Sequence, residues 1–251
     1  MDQARIGRLV TVIEGLTEGQ LLWVETVAQQ FARPHDFARA PTSDVVTDCV
    51  LRDFGDTLRI HHCFSKEAFS KDKFEYALDR VLRNCGIASE LAPRGNPGHD
   101  ITIAGVPVSL KTQANSSIRD DQIWISKFME MGRGDWVDES HLPGLRQRFF
   151  DHMRSYERIF TLRCLSRAGN RWRYELVEIP KALMLEAANG RLVMMHDSRQ
   201  TPKPGYCHVT DAQGRTKFDL YFDGGTERKL QIKGLDKSLC IVHGAWSFEA
   251  G

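Results

Sequence analysis

The chain has 251 residues, 41% of them hydrophobic and 27% charged, with a net charge of +1. That length can bury a substantial core without staples, and it fits one elaborated domain better than two full ones. The near-neutral balance excludes a protein that coats nucleic acid by charge alone, though not an enzyme whose basic residues gather on one face. No apolar run approaches the roughly 18 residues of a membrane span.

The N-terminal text MDQARIGRLVTVIEG lacks the charge layout of a signal peptide. The six cysteines, Cys49, Cys63, Cys85, Cys164, Cys207 and Cys240, show no CxxC spacing. Both features lead us to expect reduced thiols in a cytoplasmic protein.

Residues 2–15 and 18–32 read as two helices. In the second, Thr17 and Gln20 have capping-box spacing, and Leu21, Leu22, Val24, Val27 and Phe31 recur at helical intervals. Pro34 ends it, and 35–48 reads as a turn-rich connector. Residues 1–48 are therefore expected to form an N-terminal helical region, with 49–251 as the main domain. The segment 58–63 fits a short strand or the start of a helix. Its His61, His62 and Cys63 are metal-binding types, but neighbours on a strand face opposite ways and no second cluster has liganding spacing. Residues 66–85 predict an amphipathic helix. Phe74, Leu78, Val81, Leu82 and Cys85 form its apolar stripe, and Gly86 is placed to stop it. Glu75 borders that stripe instead of lying mid-way round the wet face.

The stretch Asn96 to Gln113, NPGHDITIAGVPVSLKTQ, carries the chemistry. Period-two alternation predicts two short strands broken at Ala104-Gly105. Val106, Val108 and Leu110 give the second strand its apolar side, Ser109 and Lys111 share the other, and Pro107 suits an early or edge position. The hairpin can thus bring Asp100 beside Ser109 and Lys111, with Gln113 one step further. A carboxylate there can hold a divalent cation, and an ammonium can orient or activate a water against a phosphodiester.

This pattern resembles the PD-(D/E)xK nuclease core of type II restriction endonucleases. Asp100 matches the first acid, preceded by Pro97-Gly98-His99, and Lys111 matches the lysine. Ser109 stands where a second acid is usual. The resemblance implies that this carboxylate comes from elsewhere. Glu75 on the preceding helix is the first choice, Glu130 the second and Glu90 the third. It also implies an α/β fold, with a mixed central sheet flanked by helices after the N-terminal helical region.

Downstream, 114–121 is a polar loop. Ile123 and Ile125 begin a strand, and Lys127 to Met131 are expected to turn helical. Residues 140–157 read as a helix burying Leu145, Phe149, Phe150 and Met153. RIFTLRCLSR and RWRYELVEI predict a basic hairpin carrying Arg163, Arg167, Arg171 and Arg173. Pro180 opens a helix through Ala188. Phe218, Leu220 and Phe222 alternate as a strand, and the turn after Asp223-Gly224-Gly225 presents Thr226, Glu227, Arg228 and Lys229. Arginine can read guanine edges, and Lys or Thr can hold a backbone phosphate.

The resemblance implies a Mg²⁺-dependent endonuclease that cuts both strands of a short, palindromic site in double-stranded DNA. It further implies a homodimer that matches the symmetry of such a site and leaves 5′-phosphates. Asp100, Glu75 and the Leu110 carbonyl would hold the metal, with Glu75, Asp100 and Lys111 as the catalytic set. His99, Gln113, Asn115, Ser117, Arg119, Arg228 and Lys229 are the candidate DNA contacts. A nicking or repair nuclease on the same core, and an inactive DNA-binding protein, both stay open from sequence alone.

Overall fold

Two amphipathic helices cover one face of a seven-stranded mixed sheet, and a second, five-stranded sheet packs below the other face. The computed structural model describes residues 2–251 apart from 94, 97, 115–117 and 133–135, and gives the backbone alone at 166–168. The N-terminal helices are α1 (Gln3–Glu14) and α2 (Glu18–Ala32), and in α2 the Thr17–Gln20 capping box closes in both directions. A short strand, β1 (His35–Arg39), follows where a connector was expected, and it pairs with the last strand, β12 (Ile241–Glu249). Its partner lies some two hundred residues away, so nothing local announces it.

Helix α3 (Asp48–Phe64) absorbs 58–63, which settles that segment as helical. His61, His62 and Cys63 are engaged there: His61 with the Glu67 carbonyl, His62 with the Tyr174 hydroxyl and Cys63 with the Arg59 carbonyl. Helix α4 (Lys71–Asn84) is capped by the Ser70 hydroxyl, which accepts from the Lys73 amide, and it buries Phe74, Leu78, Val81 and Leu82. Cys49 in the first turn of α3 and Cys85 at the end of α4 form a disulfide, where free thiols were expected. The pairing follows from how the two helices pack, which cysteine spacing does not encode. Cys63, Cys164, Cys207 and Cys240 are free.

The large sheet also contains β2 (Ser89–Leu91), β3 (Ile101–Ile103), β4 (Val106–Gln113), β6 (Arg158–Ala168) and β7 (Arg171–Glu178), in the order β1-β12-β7-β6-β4-β3-β2. The β3–β4 hairpin turns at Ala104 and Gly105, both with positive φ (48° and 83°), the backbone that a tight two-residue turn requires. β4 pairs parallel with β6, Lys111 facing Thr161 and Gln113 facing Arg163; the other strand pairs described are antiparallel. Val108 and Leu110 pack on the α3–α4 side with Phe54, Phe74 and Leu78. The opposite face of β4 is polar, as expected, and it is buried: Ser109, Lys111 and Gln113 are all covered.

What covers it is the second layer. β5 (Gln122–Glu130) runs as a strand to its end, where a helical turn was expected from Lys127, because it zips antiparallel along β11 (Lys229–Asp236). With β8 (Arg191–Met194), β9 (Gly205–Thr210) and β10 (Thr216–Phe222) these make the second sheet, in the order β5-β11-β10-β9-β8. Helix α5 (Leu142–Met153) joins both sheets in one apolar cluster through Leu145, Phe149 and Met153, while Phe150 stays partly exposed. The short α6 (Lys181–Leu185) follows β7. Among the described residues no helix is long and apolar enough to cross a membrane.

Candidate active site

Asp100 sits one residue before β3, and its backbone is pinned on both sides. Its amide donates to the Val108 carbonyl at 2.9 Å, and its carbonyl accepts from the Ala92 amide at 3.0 Å. That fixes the carboxylate over the middle of β4. Its Oδ2 accepts from the Leu110 amide at 2.6 Å and the Ser109 hydroxyl at 3.1 Å. Lys111 Nζ reaches the same hydroxyl from the other side, donating to Ser109 Oγ at 2.8 Å. Ser109 therefore does what an acid at that position would not: it hands Asp100 a proton donor and gives Lys111 a neutral acceptor.

The other carboxylate oxygen faces α4. Lys71 Nζ lies 2.7 Å from Asp100 Oδ1 and 3.0 Å from Glu75 Oε1. Glu75–Lys71–Asp100–Ser109–Lys111 is thus a continuous polar chain from helix to sheet. Lys71, Glu75 and Asp100 line an open cavity of about 470 Å³ together with Tyr76, Asn96 and His99. Two acids that converge on one cation are a donor set suited to a hard divalent ion, which needs few protein ligands because it keeps several waters. Among the described residues no group of three or more His, Cys, Asp or Glu forms a denser metal cluster.

The comparisons with known proteins settle the family. Residues 9–248 match the SmaI family, described as type II site-specific deoxyribonuclease. The type II restriction enzyme SmaI of Serratia marcescens is 49% identical over 208 residues, which is 82% of this chain and 83% of that enzyme. The chain belongs to the SmaI family of type II site-specific deoxyribonucleases. It is a sequence-specific endonuclease, and its fold is the α/β, restriction-endonuclease-like one expected from the hairpin. No solved structure matches it.

Electrostatics in this endonuclease separate the two lysines. Lys111 is 7% exposed, and burial is the largest influence on it. Burial outweighs the attraction of Asp100, Lys71 adds repulsion, and the ammonium pKa is pushed down to about 8. Lys71 is also partly buried, but Asp100 and Glu75 overcome that and raise its pKa. Burial would raise Asp100, yet the charges of Lys111 and Lys71 and the Leu110 amide hold it below the ordinary carboxylate range. Phe128 lies under Lys111, its ring centre 5.3 Å from Nζ. Three polar atoms on the Lys111 side of the sheet, His152 Nε2, Tyr156 OH and Thr161 Oγ1, are buried without a hydrogen-bond partner among the described residues. Burial and the nearby Lys111 push the His152 pKa down to about 4.

The remaining expected site residues scatter. Glu130 lies on β5 in the second sheet, 68% exposed and paired with Lys127 at 2.7 Å, while Glu90 sits on β2 opposite Thr102. Gln113 is buried and accepts from Arg163 Nε at 2.8 Å. Arg119 is exposed and pairs with Asp121 at 2.9 Å. Arg228, at positive φ, and Lys229, paired with Glu227 at 3.0 Å, lie at the β10–β11 turn. Asn115 and Ser117 lie outside the described residues. Sequence reading missed Lys71, although its signal was present: a lysine four residues before Glu75 shares that helix face.

Proposed function

We propose that this endonuclease requires Mg²⁺ and cuts both strands of a short palindromic site in double-stranded DNA, acting as a homodimer in the cytoplasm. The observation that carries the reading is the convergence of Asp100 and Glu75 on a single cationic centre, with Lys111 joined to Asp100 through Ser109. Asp100, Glu75 and the Leu110 carbonyl are the residues that would hold the metal. When bound, it would supply Lewis-acid polarisation of the scissile phosphate and offset the charge that builds there.

The chain's own residues supply the rest. Lys111, with its pKa near 8, keeps a small neutral fraction near neutral pH and can accept a proton from, or orient, the attacking water. Ser109 fixes the ammonium's direction by accepting its hydrogen bond. Asp100, held ionised by the two lysines, offers a full carboxylate charge to a cation. His99 shares the cavity with both acids and is the nearest candidate to touch DNA. Gln113, Asn115, Ser117, Arg119, Arg228 and Lys229 are the further proposed contacts to bases or phosphates.

The test is digestion of supercoiled plasmid with Mg²⁺ and with a chelator, comparing the native chain with Asp100→Ala and Lys111→Ala. Linear product from the native chain with Mg²⁺ alone, and none from either variant, is the expected result. Nicked circles only would make it a single-strand cutter, and cutting by a variant at the native rate would reject the site. Sedimentation of the native chain should give twice the chain mass.

A further inference from the structure

Lys71 is the first residue of α4, directly after its N-cap Ser70. A helix N-terminus carries partial positive charge, so a cation there opposes the macrodipole. Its (i, i+4) pairing with Glu75 also runs in the weaker direction, with the lysine N-terminal to the acid. The helix itself therefore gives a lysine at this position little support beyond that one pair. Its shorter contact lies outside the helix, with Asp100 Oδ1 at 2.7 Å against 3.0 Å to Glu75 Oε1. The ammonium separates two carboxylates that would otherwise repel. Its side chain is 42% exposed at the cavity's rim, so it can swing out on its own four-carbon stem without moving the backbone.

We propose that Lys71 is a built-in placeholder cation, which holds Asp100 and Glu75 together in the metal-free enzyme and is displaced when a divalent ion loads. The proposal rests on the reading of these two acids as the metal site. An ammonium and a metal ion cannot both take the same carboxylate oxygens, so each weakens the other by the same factor. Once displaced, the Lys71 ammonium would leave the two acids for solvent, where a cation favours a DNA phosphate. Metal binding without DNA is accordingly weak, and removing the ammonium strengthens it.

Calorimetric titration of Ca²⁺ into the full-length, DNA-free protein reads this directly. Lys71→Met and Lys71→Gln should each bind Ca²⁺ about 10- to 100-fold more tightly than the native chain. Their melting temperatures should also gain more from Ca²⁺ than the native protein's does, because the uncompensated acid pair then depends on the ion. Lys71→Gln keeps a hydrogen-bond donor and reads the same comparison if the methionine variant folds poorly. Affinity equal to or weaker than native in a folded variant overturns the placeholder. Asp100→Asn separates the two ideas. If it abolishes Ca²⁺ binding while the Lys71 variants bind no tighter, only the placeholder fails. If it binds Ca²⁺ as well as the native chain, the metal site itself is misassigned and the placeholder falls with it.

Discussion

Two buried cations lie on the same face of the same strand pair and have opposite surroundings. Arg163 on β6 is fully covered and spends its guanidinium on Glu175, Gln113 and the carbonyls of Arg119 and Gln122. Glu175 in turn accepts from Lys237 at 3.1 Å. Lys111, one register step along on β4, has a single hydrogen-bond partner among the described residues, a neutral hydroxyl. The contrast separates structure from chemistry. A saturated buried charge ties loops to a sheet, whereas an under-partnered one is left with a shifted pKa and free capacity to act on a substrate.

Mutating the two cations should split stability from activity. Asp100→Asn and Lys111→Met are expected to lower cleavage by about 10³- to 10⁴-fold, a loss of the metal and of the water-directing group. Lys111→Met should melt no lower than native. The sign follows from the shift: the folded pKa near 8 is below the free value of 10.5, so the charged, buried form costs stability below pH 8. That cost fades as pH rises towards 10.5, and a methionine removes it at every pH. Arg163→Met should do the reverse, costing about 3–5 kcal/mol in denaturant unfolding because Glu175 loses its main partner. Cleavage measured below its melting point should change far less than for Lys111→Met.

The first two acids offered as replacements for the one missing at Ser109 sharpen the same contrast. Glu75→Gln should slow cleavage by about 10²-fold, and Glu130→Gln by less than about twofold, since one lines the cavity and the other pairs with Lys127 in solvent. The pH dependence tests the lysine in the same way. Single-turnover cleavage should rise about tenfold per pH unit below pH 8 and level off above it, as Lys111 loses its proton. Lys111→Arg, which stays protonated, should flatten that profile.

Much of the site was legible because its signals are local. Alternation from Ile101 to Leu110 around a Gly turn gave the hairpin, and with it the meeting of Asp100, Ser109 and Lys111. The apolar stripe of α4 placed Glu75 at the edge of the core. What escaped depends on partners distant in sequence. β1 needs β12, and the second half of β5 needs β11, to be strands at all. The Cys49–Cys85 disulfide needs two helices to pack before the sulfurs meet. Arg163, on a hairpin whose arginines fit a solvated or a phosphate-facing role equally well, is instead buried and donates to the carbonyls of Arg119 and Gln122, some forty residues earlier in the chain.

Anomalous diffraction from crystals of the native chain grown with Mn²⁺ tests the central claim most directly. The account predicts a peak within about 2.5 Å of oxygens from both Asp100 and Glu75. A peak elsewhere, at Glu130 for example, or none at that pair of acids, would contradict it.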